Sequence, residues 1–343
     1  MVLFSSFPAA TLLFIVSLGV VIIASAHFTR KLEALCETFN FSIGILSLLS
    51  ALGANIPDYA SAAVAIIGGH TDLGIGIILG SNIYNLTIIL GLCTFFAPAG
   101  NGISLSIQAR HHVGVVAWYT FAIILSVWGM SALFPGSPFV SIFQITQPTH
   151  ILFLLVAVLV FAIFGGLFTH ILRRSHGPID TAVAHHTPVR QKTPRAIGRL
   201  SSEILLTLAI ALGGVVVMVQ SGQTLTNDLH MPAVLAGLLV LAVATSLPNT
   251  IVAISLVRTG EVAACVEEIY IGASINIVLG IALPVVIWQG VLQDRFLILL
   301  DGPFLVALTA GVLFGIKRGR LGRSLGVMLL GLYVAWVIVR FWV

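Results

Sequence analysis

Charged residues are scarce in this chain: Asp, Glu, Lys and Arg make up only 8% of its 343 residues. A soluble domain of ordinary composition is about one quarter charged. Too few charges are present to cover a water-exposed surface, which excludes the soluble globular classes. The net charge of +4 is divided among several loops, so the sequence also lacks the concentrated basic surface of a nucleic-acid-binding protein.

Cysteines and catalytic signatures are equally sparse. The three cysteines, Cys36, Cys93 and Cys265, have no CxxC spacing, so we expect small buried hydrophobic residues rather than a disulfide framework or a zinc site. The chain has no HExxH motif, no GxSxG motif and no paired intramembrane aspartates, and we predict that it is not an enzyme. The first apolar run has neither a basic segment before it nor a cleavage motif after it, so we expect a retained helix rather than a signal peptide.

Hydrophobic residues dominate instead, at 58% of the chain, and the mean hydropathy is +1.11. They fall into runs of about 20 residues, the length of helix that crosses the hydrocarbon core of a bilayer. We therefore predict an all-α integral membrane protein with about ten transmembrane helices. The predicted spans are 8–27, 41–67, 73–97, 112–133, 150–172, 203–220, 233–257, 261–289, 296–316 and 323–342.

A polar stretch divides these spans into five and five. It runs from 173 to 202, contains Pro178, Pro188 and Pro194, and has the composition of a flexible linker. We predict a first repeat over 1–172, a basic linker over 173–202 and a second repeat over 203–343. Because each half has an odd number of spans, the second half is expected to be inverted relative to the first.

The basic residues predict the orientation in the membrane. Cytoplasmic loops are enriched in Lys and Arg. With the N-terminus outside, alternate counting places fourteen of the sixteen basic residues inside and leaves only Arg295 and Arg340 outside. We predict that both termini are outside and that the linker 173–202 is cytoplasmic.

The two halves carry a repeat at a constant offset of 191, between residues 51–85 and 242–276. The aligned pairs include Pro57 with Pro248, Asp58 with Asn249, and Asn85 with Asn276. Inverted repeats with interrupted helices place the substrate site of many secondary transporters near the bilayer midplane. We therefore expect one ion site built from both segments.

The residue types in these segments point to a cation. Pro57 removes a helical N–H, which leaves the carbonyl of Gly53 without its usual donor. Asp58 follows at once, and a carboxylate in the middle of a span costs about 3 kcal/mol and typically marks an ion pathway. Carbonyl and carboxylate oxygens suit sodium, calcium or a proton. The polar residues that accompany them are Ser81, Asn82 and Asn85 in the first segment and Thr245, Ser246, Asn249 and Asn276 in the second.

These segments resemble the alpha repeats of the cation/calcium antiporter superfamily, which includes the sodium/calcium exchangers. GANIPD at 53–58 and GSNIYN at 80–85 match the first repeat, whereas TSLPN at 245–249 and GASIN at 272–276 match the second in part. The resemblance implies an exchanger fold and ion-binding positions at Ala51, Ala54, Asn55, Asp58, Ser81, Asn85, Ala242, Thr245, Ser246, Asn249 and Asn276. Asp58, Asn85, Asn249 and Asn276 are the metal-ligating side chains among them, and Gly272 stands where the family has a serine.

One departure concerns charge, because calcium-transporting members place a carboxylate from each repeat at the ion. This chain has Asp58 in the first repeat but Asn249 in the second. A single negative charge favours a monovalent ion or weaker divalent binding. Glu268 lies two turns, about 12 Å, before Asn276 on the same helix face. It is either an accessory carboxylate at the cytoplasmic mouth of the site or, with Glu267, an interfacial partner of Arg258.

The function that the resemblance implies is secondary active cation antiport by alternating access, most directly of the sodium/calcium type, with spans 1 and 6 moving across the site. A sodium or potassium/proton antiporter and a transport-deficient regulatory homologue remain alternatives. We expect no cofactor besides the transported Ca²⁺, Na⁺ or H⁺. The expected partners are these cations and the lipid bilayer, with no nucleic acid, in a prokaryotic plasma membrane. The oligomeric state is left open.

Overall fold

The computed structural model describes residues 7–39, 43–98, 102–133, 148–174, 194–287 and 292–343. The helices of the first half are α1 Phe7–Thr38, α2 Ile43–Ala54, α3 Ile56–Ile67, α4 Thr71–Tyr84, α5 Leu90–Phe96, α6 Ile107–Leu133 and α7 Pro148–Arg174. Those of the second half are α8 Pro194–Asp228, α9 Ala233–Leu235, α10 Ala242–Arg258, α11 Val262–Ile277, α12 Leu283–Ile287, α13 Gly302–Arg318 and α14 Arg323–Trp342. Four π-helical segments join some of them, at Asn85–Ile89, Ala236–Leu241, Val278–Ala282 and Leu297–Asp301.

These elements form the predicted all-α membrane fold. Nine continuous helical stretches in the described residues are long and apolar enough to cross a bilayer. The tenth predicted span is the pair α2 and α3, each 12 residues long and separated at Asn55. The peripheral helices expose large apolar side chains such as Leu12, Leu155 and Leu205. Such an apolar outer surface is what contact with lipid requires, because lipid tails replace water as the solvent.

The centre of the protein consists of the third and eighth spans, which are almost wholly buried. The third span is α4, its π segment and α5, and it belongs to the first half; the eighth is α11, its π segment and α12, and it belongs to the second. The long peripheral helices α1 and α8 pack on each other, and a salt bridge of 2.5 Å joins Lys31 to Glu203 between them. Each half thus contributes one central span to a shared core.

Glycine allows the central helices of the two halves to touch backbone to backbone. A Cβ at Gly80 of α4 would lie 2.2 Å from the carbonyl oxygen of Leu238, and one at Gly237 would lie 2.5 Å from the carbonyl oxygen of Leu73. Only a residue without a side chain fits such a crossing. The crossing places Ser81 of the first half directly against the N-terminal end of α10 in the second.

The two proline-containing helices differ from each other. In the seventh span, helix α10 continues through Pro248, although Pro248 aligns with Pro57 of the second span. The second span is interrupted at Asn55, where α2 ends and α3 begins with proline in its first turn. A transmembrane helix tolerates proline when neighbouring groups satisfy the freed carbonyls, so the residue type alone does not determine whether the helix breaks.

The linker is shorter at its C-terminal end than the sequence predicted. Helix α8 begins at Pro194, so residues 194–202 are helical. Their sequence continues the helical pattern because Arg199 and Glu203 are spaced as an i, i+4 ion pair, with a distance of 2.9 Å. Residues 173–174 belong to the end of α7. The remainder of the linker, 175–193, lies outside the described residues, and the division into three regions stays a prediction.

Contacts between loops gather at the two ends of the helical bundle. At one end, strand β1 (Gly102–Ser104) pairs antiparallel with β2 (Arg320–Gly322), with Ile103 opposite Leu321. At the other end, the carboxylate of Asp72 accepts a hydrogen bond from the backbone N–H of Gln293 at 3.0 Å. Each of these contacts joins one half of the chain to the other.

Candidate functional site

Asp58 lies in the first turn of α3 and is completely buried. The N-terminal end of a helix carries a partial positive charge, which stabilises a carboxylate there. The backbone N–H of Asp58 donates to the carbonyl of Asn55 at 3.1 Å. Because Pro57 has no N–H, the carbonyl of Gly53 lacks its helical donor. The local sequence therefore places one negative charge and a freed carbonyl at the same interruption.

Two amides of the second half donate to this carboxylate. Asn249 of α10 and Asn276 of α11 each direct Nδ2 at Oδ2 of Asp58, at 3.3 Å and 3.1 Å. The same two nitrogens also donate to Oδ1 of Asn55 and of Asn82, at 3.0 Å and 3.3 Å. Since both nitrogens face oxygen acceptors, the orientation of both amides is determined by their surroundings. The first half supplies the charge and the second half supplies the neutral donors that hold it.

Hydroxyl groups complete the polar centre. Oγ of Ser81 in α4 and Oγ of Ser246 in α10 are 2.8 Å apart, which joins the two halves at this point. Thr245 lies beside Ser246, and its hydroxyl donates to the carbonyl of Leu241 at 2.9 Å. The hydroxyls of Thr245, Ser81 and Ser246 all neighbour the carboxylate of Asp58. All three are buried, so this polar cluster is enclosed by protein.

Four buried side-chain oxygens of the site have no hydrogen-bond partner among the described residues. They are Oδ1 of Asp58, Asn85, Asn249 and Asn276, the four side chains that the sequence predicted as metal ligands. The other partnerless buried oxygens are the hydroxyls of Ser25 and Ser61 and Oδ2 of Asp301, which lies 3.1 Å from Nε of Arg340. Orphaned acceptors are costly in a low-dielectric interior. A cation that prefers hard oxygen ligands would satisfy such acceptors, and the role of these four side chains as ion ligands stays a prediction.

No group of three or more His, Cys, Asp or Glu side chains that could hold a metal exists in the described part of the chain. A cation at Asp58 must therefore rely mainly on amide, hydroxyl and carbonyl oxygens. Those ligands suit alkali and alkaline-earth ions rather than zinc or iron. Which ion is transported stays a prediction from the sequence.

Two other predicted positions are occupied by contacts within the protein. The amide of Asn55 donates to the carbonyl of Ala51 at 2.8 Å, and that carbonyl also accepts the backbone N–H of Asn55 at 3.1 Å. Both lone pairs of the Ala51 carbonyl are thus engaged. Ala54 and Ala242 lie beside the site, and the carbonyl of Ala242 accepts the hydroxyl of Thr245 at 3.2 Å. Their role as ion ligands stays a prediction.

Asn55 also explains the glycine at position 272. A Cβ at Gly272 of α11 would lie 2.9 Å from Nδ2 and 3.0 Å from Oδ1 of Asn55. A serine there would meet the Asn55 amide, so the two residues fit each other as a pair. The Asn55 amide therefore fills the space of the serine hydroxyl that the family resemblance implies at position 272.

A buried ion-pair cluster escaped the sequence analysis. Arg340, in the last turn of α14, contacts Asp294 at 2.6 Å and Asp301 at 3.1 Å, and the indole of Trp336 donates to Asp301 at 2.8 Å. From sequence alone, Asp294 beside Arg295, and Asp301, are expected near a membrane surface and without a chemical role. The i, i+4 spacing of Trp336 and Arg340 was the available signal, because it aligns both donors on one face of α14.

The Asp72 side chain does not cap helix α4, although an aspartate directly before Leu73 favours that role in the sequence. Helix α4 begins at Thr71 with His70 at the capping position, and the Asp72 side chain bonds to Gln293 instead. Tertiary contact with the loop before α13 thus outweighs the local capping preference.

Sequence relatives match over nearly the whole chain. The family model for sodium/calcium exchanger protein matches residues 9–166 and 201–342. The inner membrane protein YrbG of Escherichia coli (strain K12) is 26% identical over 340 residues, covering 97% of both chains. The putative antiporter CaxA of Alkalimonas amylolytica is 25% identical over 319 residues, covering 92% of both.

The fold agrees with the sequence match. A solved structure of the sodium-calcium exchanger NCX_Mj superposes with a TM-score of 0.62 at 18% identity, over 97% of this chain and 99% of that one. The matched family stretches include both polar segments, and the gap between them, 167–200, contains most of the predicted linker. This chain therefore belongs to the sodium/calcium exchanger protein family and is a membrane antiporter of cations.

Proposed function

We propose that this chain exchanges sodium for calcium across the membrane at the Asp58 site. The observation that carries the proposal is the set of four partnerless buried oxygens, on Asp58, Asn85, Asn249 and Asn276. Sodium and calcium both prefer hard oxygen ligands, so one set of side chains can serve them in turn. The structurally similar NCX_Mj is a sodium-calcium exchanger, which supports the same pair of ions.

The physical basis of exchange is the cost of an uncompensated charge. With an ion bound, Asp58 is neutralised by it, and the loaded site can pass between its two accessible states. Without an ion, the carboxylate is left with neutral donors alone, which are the amides of Asn249 and Asn276 and the neighbouring hydroxyls. Moving a poorly compensated charge through a low-dielectric region is unfavourable, which suppresses movement of the empty carrier and couples one flux to the other. Helices α1 and α8, which pack on each other, are the proposed moving pair.

A second candidate is exchange of sodium or potassium for protons. The single carboxylate favours it, because Asn249 stands where a second charge would otherwise balance a divalent ion. Protonation of Asp58 would then replace the metal ion. This alternative uses the same residues and differs only in which ions compete.

Transport by the purified protein in proteoliposomes tests both candidates. We expect uptake of calcium-45 when the vesicles hold sodium and the bath does not, and little uptake under a pH gradient alone. Asp58→Asn removes the only charge of the site, so we expect flux to fall by at least about 100-fold, the loss typical when a buried charge contact of about 3 kcal/mol is removed.

Asp228→Asn is the matched control, since Asp228 is an exposed carboxylate at the end of α8. Its flux should equal that of the wild type. Uptake driven only by protons would replace the sodium/calcium assignment with the second candidate. Absence of every flux, in protein that remains folded, would identify a transport-deficient homologue. Full activity of Asp58→Asn would show that the site lies elsewhere.

A further inference from the structure

Glu268 is a carboxylate in the central helix α11 that the ion site itself does not use. It lies two turns after the start of the helix at Val262, on the side of the turn that contains Arg258. It precedes Gly272 by four residues and Asn276 by eight, so the three lie along one face of the helix. This face leads from the α10–α11 turn to Asp58.

Contacts on both sides of Glu268 show that this face points into the protein. Sγ of Cys265, three residues earlier, lies 3.5 Å from Sγ of Cys93 in α5. Gly272, four residues later, packs on the side chain of Asn55. Both neighbours meet elements of the first half, so Glu268 between them is directed at the same interior region rather than at lipid.

The Glu268 carboxylate has no hydrogen bond and no ion pair with any described residue. Arg258, the nearest basic residue in sequence, is exposed and lies over the ring of Phe96 with 4.8 Å between the guanidinium carbon and the ring centroid. The interpretation that Glu267 and Glu268 pair with Arg258 at the interface is therefore wrong as far as it concerns Glu268. Glu268 is partly exposed, and it interacts electrostatically with Asp58.

The position equivalent to Glu268 in the first repeat carries no charge. At the offset of 191, Glu268 corresponds to Ile77 of α4, which is completely buried. Because the halves are inverted, Ile77 lies between the site and the opposite membrane face. One route to Asp58 therefore contains a carboxylate, whereas its symmetry mate contains an aliphatic side chain.

We propose that Glu268 is an acidic relay that attracts cations to the Asp58 site from the face bearing Arg258 and from that face only. The proposal rests on the proposed function, because it assumes that Asp58 binds the transported ion. The relay supplies on one route the second negative charge that Asn249 does not provide. Approximately two helical turns separate it from Asn276, so it acts on ions in transit rather than as a ligand of the bound ion.

Coulomb attraction gives the relay a quantitative signature. The interaction energy of a charge with a cation is proportional to the charge of the cation. Removing one negative charge therefore weakens attraction twice as much in free energy for calcium as for sodium. The factor by which the apparent affinity falls should therefore be about the square for calcium of what it is for sodium. For a partly solvated carboxylate we expect roughly tenfold for calcium and roughly threefold for sodium.

Transport measured in right-side-out and inside-out membrane vesicles tests the relay with Glu268→Gln. We expect the KM at the face bearing Arg258 to rise about tenfold for calcium and about threefold for sodium. The KM at the opposite face and the maximal rate should stay unchanged. Glu268→Asp keeps the charge and should restore most of the affinity. Glu267→Gln, which removes the adjacent carboxylate about 100° around the helix, is the matched control and should leave both KM values unchanged.

Three outcomes would overturn the relay. Equal losses at both faces would indicate a structural role, and equal factors for sodium and calcium would exclude charge as the cause. An unchanged Glu268→Gln variant, beside an active wild type, would refute the relay while leaving the proposed function intact. Absence of flux in the wild type itself would refute both.

Discussion

Asp58 is a full negative charge held by neutral groups of the opposite half. Asn249 contributes one of the two amide donors and at the same time bonds to Asn55. The asymmetry between Asp58 and Asn249 therefore has a structural consequence: without an ion, the carboxylate is stabilised by a hydrogen bond that a second carboxylate could not make. In the proposed ion site, this arrangement would favour a stable empty site over the tightest binding of a divalent ion.

Asn249→Asp tests this trade between stability and affinity. At present Nδ2 of Asn249 lies 3.0 Å from Oδ1 of Asn55 and 3.3 Å from Oδ2 of Asp58. The change replaces this NH₂ donor with a carboxylate oxygen, which faces two other oxygens. Without calcium, we expect the variant to lose about 2–4 kcal/mol of stability. With calcium, two carboxylates match a divalent charge, so thermal stabilisation by calcium should exceed that of the wild type.

Asn249→Leu is the control for this prediction, since it removes the same donors without adding charge. It should be destabilised and should gain no additional response to calcium. Thermal unfolding of the purified proteins with and without calcium measures both effects. An Asn249→Asp protein that calcium stabilises no more than the wild type would contradict the single-charge account of the site.

Individual residues of the site were predictable because polar groups in apolar spans are conspicuous. Asp58, Asn249 and Asn276 stand in long hydrophobic runs at matching positions of a repeat, and hydrogen bonds join all three. The pairing of Arg340 with Asp301 was not predictable in the same way. Arg340 stands at the end of an apolar span, and only the tertiary contact of α14 with the segment before α13 brings it to its partners.

Elements of the fold were predictable in number but not in local geometry. The apolar runs gave ten spans, and Pro57 gave the interruption of the second. The π-helical segments at Asn85–Ile89 and Val278–Ala282 were not predicted, although they follow the equivalent residues Asn85 and Asn276 closely. A π segment is a single wider turn with i→i+5 hydrogen bonds, and such turns are frequent at functional sites. The hydrophobic periodicity of the sequence is that of an ordinary α-helix, so it does not indicate where such a turn occurs.

The crossing of α4 and the π segment Ala236–Leu241 makes a prediction at the scale of elements. A Cβ at Gly80 would lie 2.2 Å from the carbonyl oxygen of Leu238 and 2.8 Å from the Cβ of Ala242. Backbone cannot rotate away as a side chain can, so Gly80→Ala must separate the two elements. We expect a loss of about 2–4 kcal/mol in stability and reduced flux, because Ser81 and Ser246 also move apart.

Gly165→Ala in α7 is the matched substitution, since nothing lies within 4 Å of a Cβ at that position. Its stability should stay within about 0.5 kcal/mol of the wild type, as for substitutions away from close contacts. Thermal unfolding in detergent compares the two variants directly. Equal stability of both alanine variants would mean that the helices do not approach as closely as the structure has them.

Contacts between loops and helix ends divide the molecule into two faces, one at each end of the helical bundle. Strands β1 and β2 join the loops after α5 and α13, and Lys31 with Glu203 joins the end of α1 to the beginning of α8. On the opposite face, a hydrogen bond joins Asp72 to Gln293, and an ion pair joins Arg340 to Asp294. Alternate counting of the ten spans gives the same two groups, so the contacts agree with the sequence-based topology. They do not say which face is cytoplasmic, which stays a prediction from the basic residues.

The basic residues argue for that face more strongly once their partners are known. Alternate counting left Arg295 and Arg340 on the outer side, against fourteen basic residues inside. Arg340 is buried between Asp294 and Asp301, so its charge is compensated and does not oppose the positive-inside rule. The face that carries β1 and β2 should therefore be cytoplasmic.

Cysteine labelling of intact cells tests the orientation, in a background from which Cys36, Cys93 and Cys265 have been replaced. A membrane-impermeant maleimide should label His70→Cys and Gln293→Cys, whose positions are exposed on the predicted outer face. Ser104→Cys and Thr259→Cys, exposed on the other face, should react only after the membrane is permeabilised. If Ser104→Cys and Thr259→Cys are labelled in intact cells and the other two variants are not, the loops still lie on the same two faces. The basic residues would then have predicted the wrong face as cytoplasmic. Labelling of one member of each pair would contradict the grouping itself, and with it the inverted arrangement that brings Asp58 and Asn249 to one site.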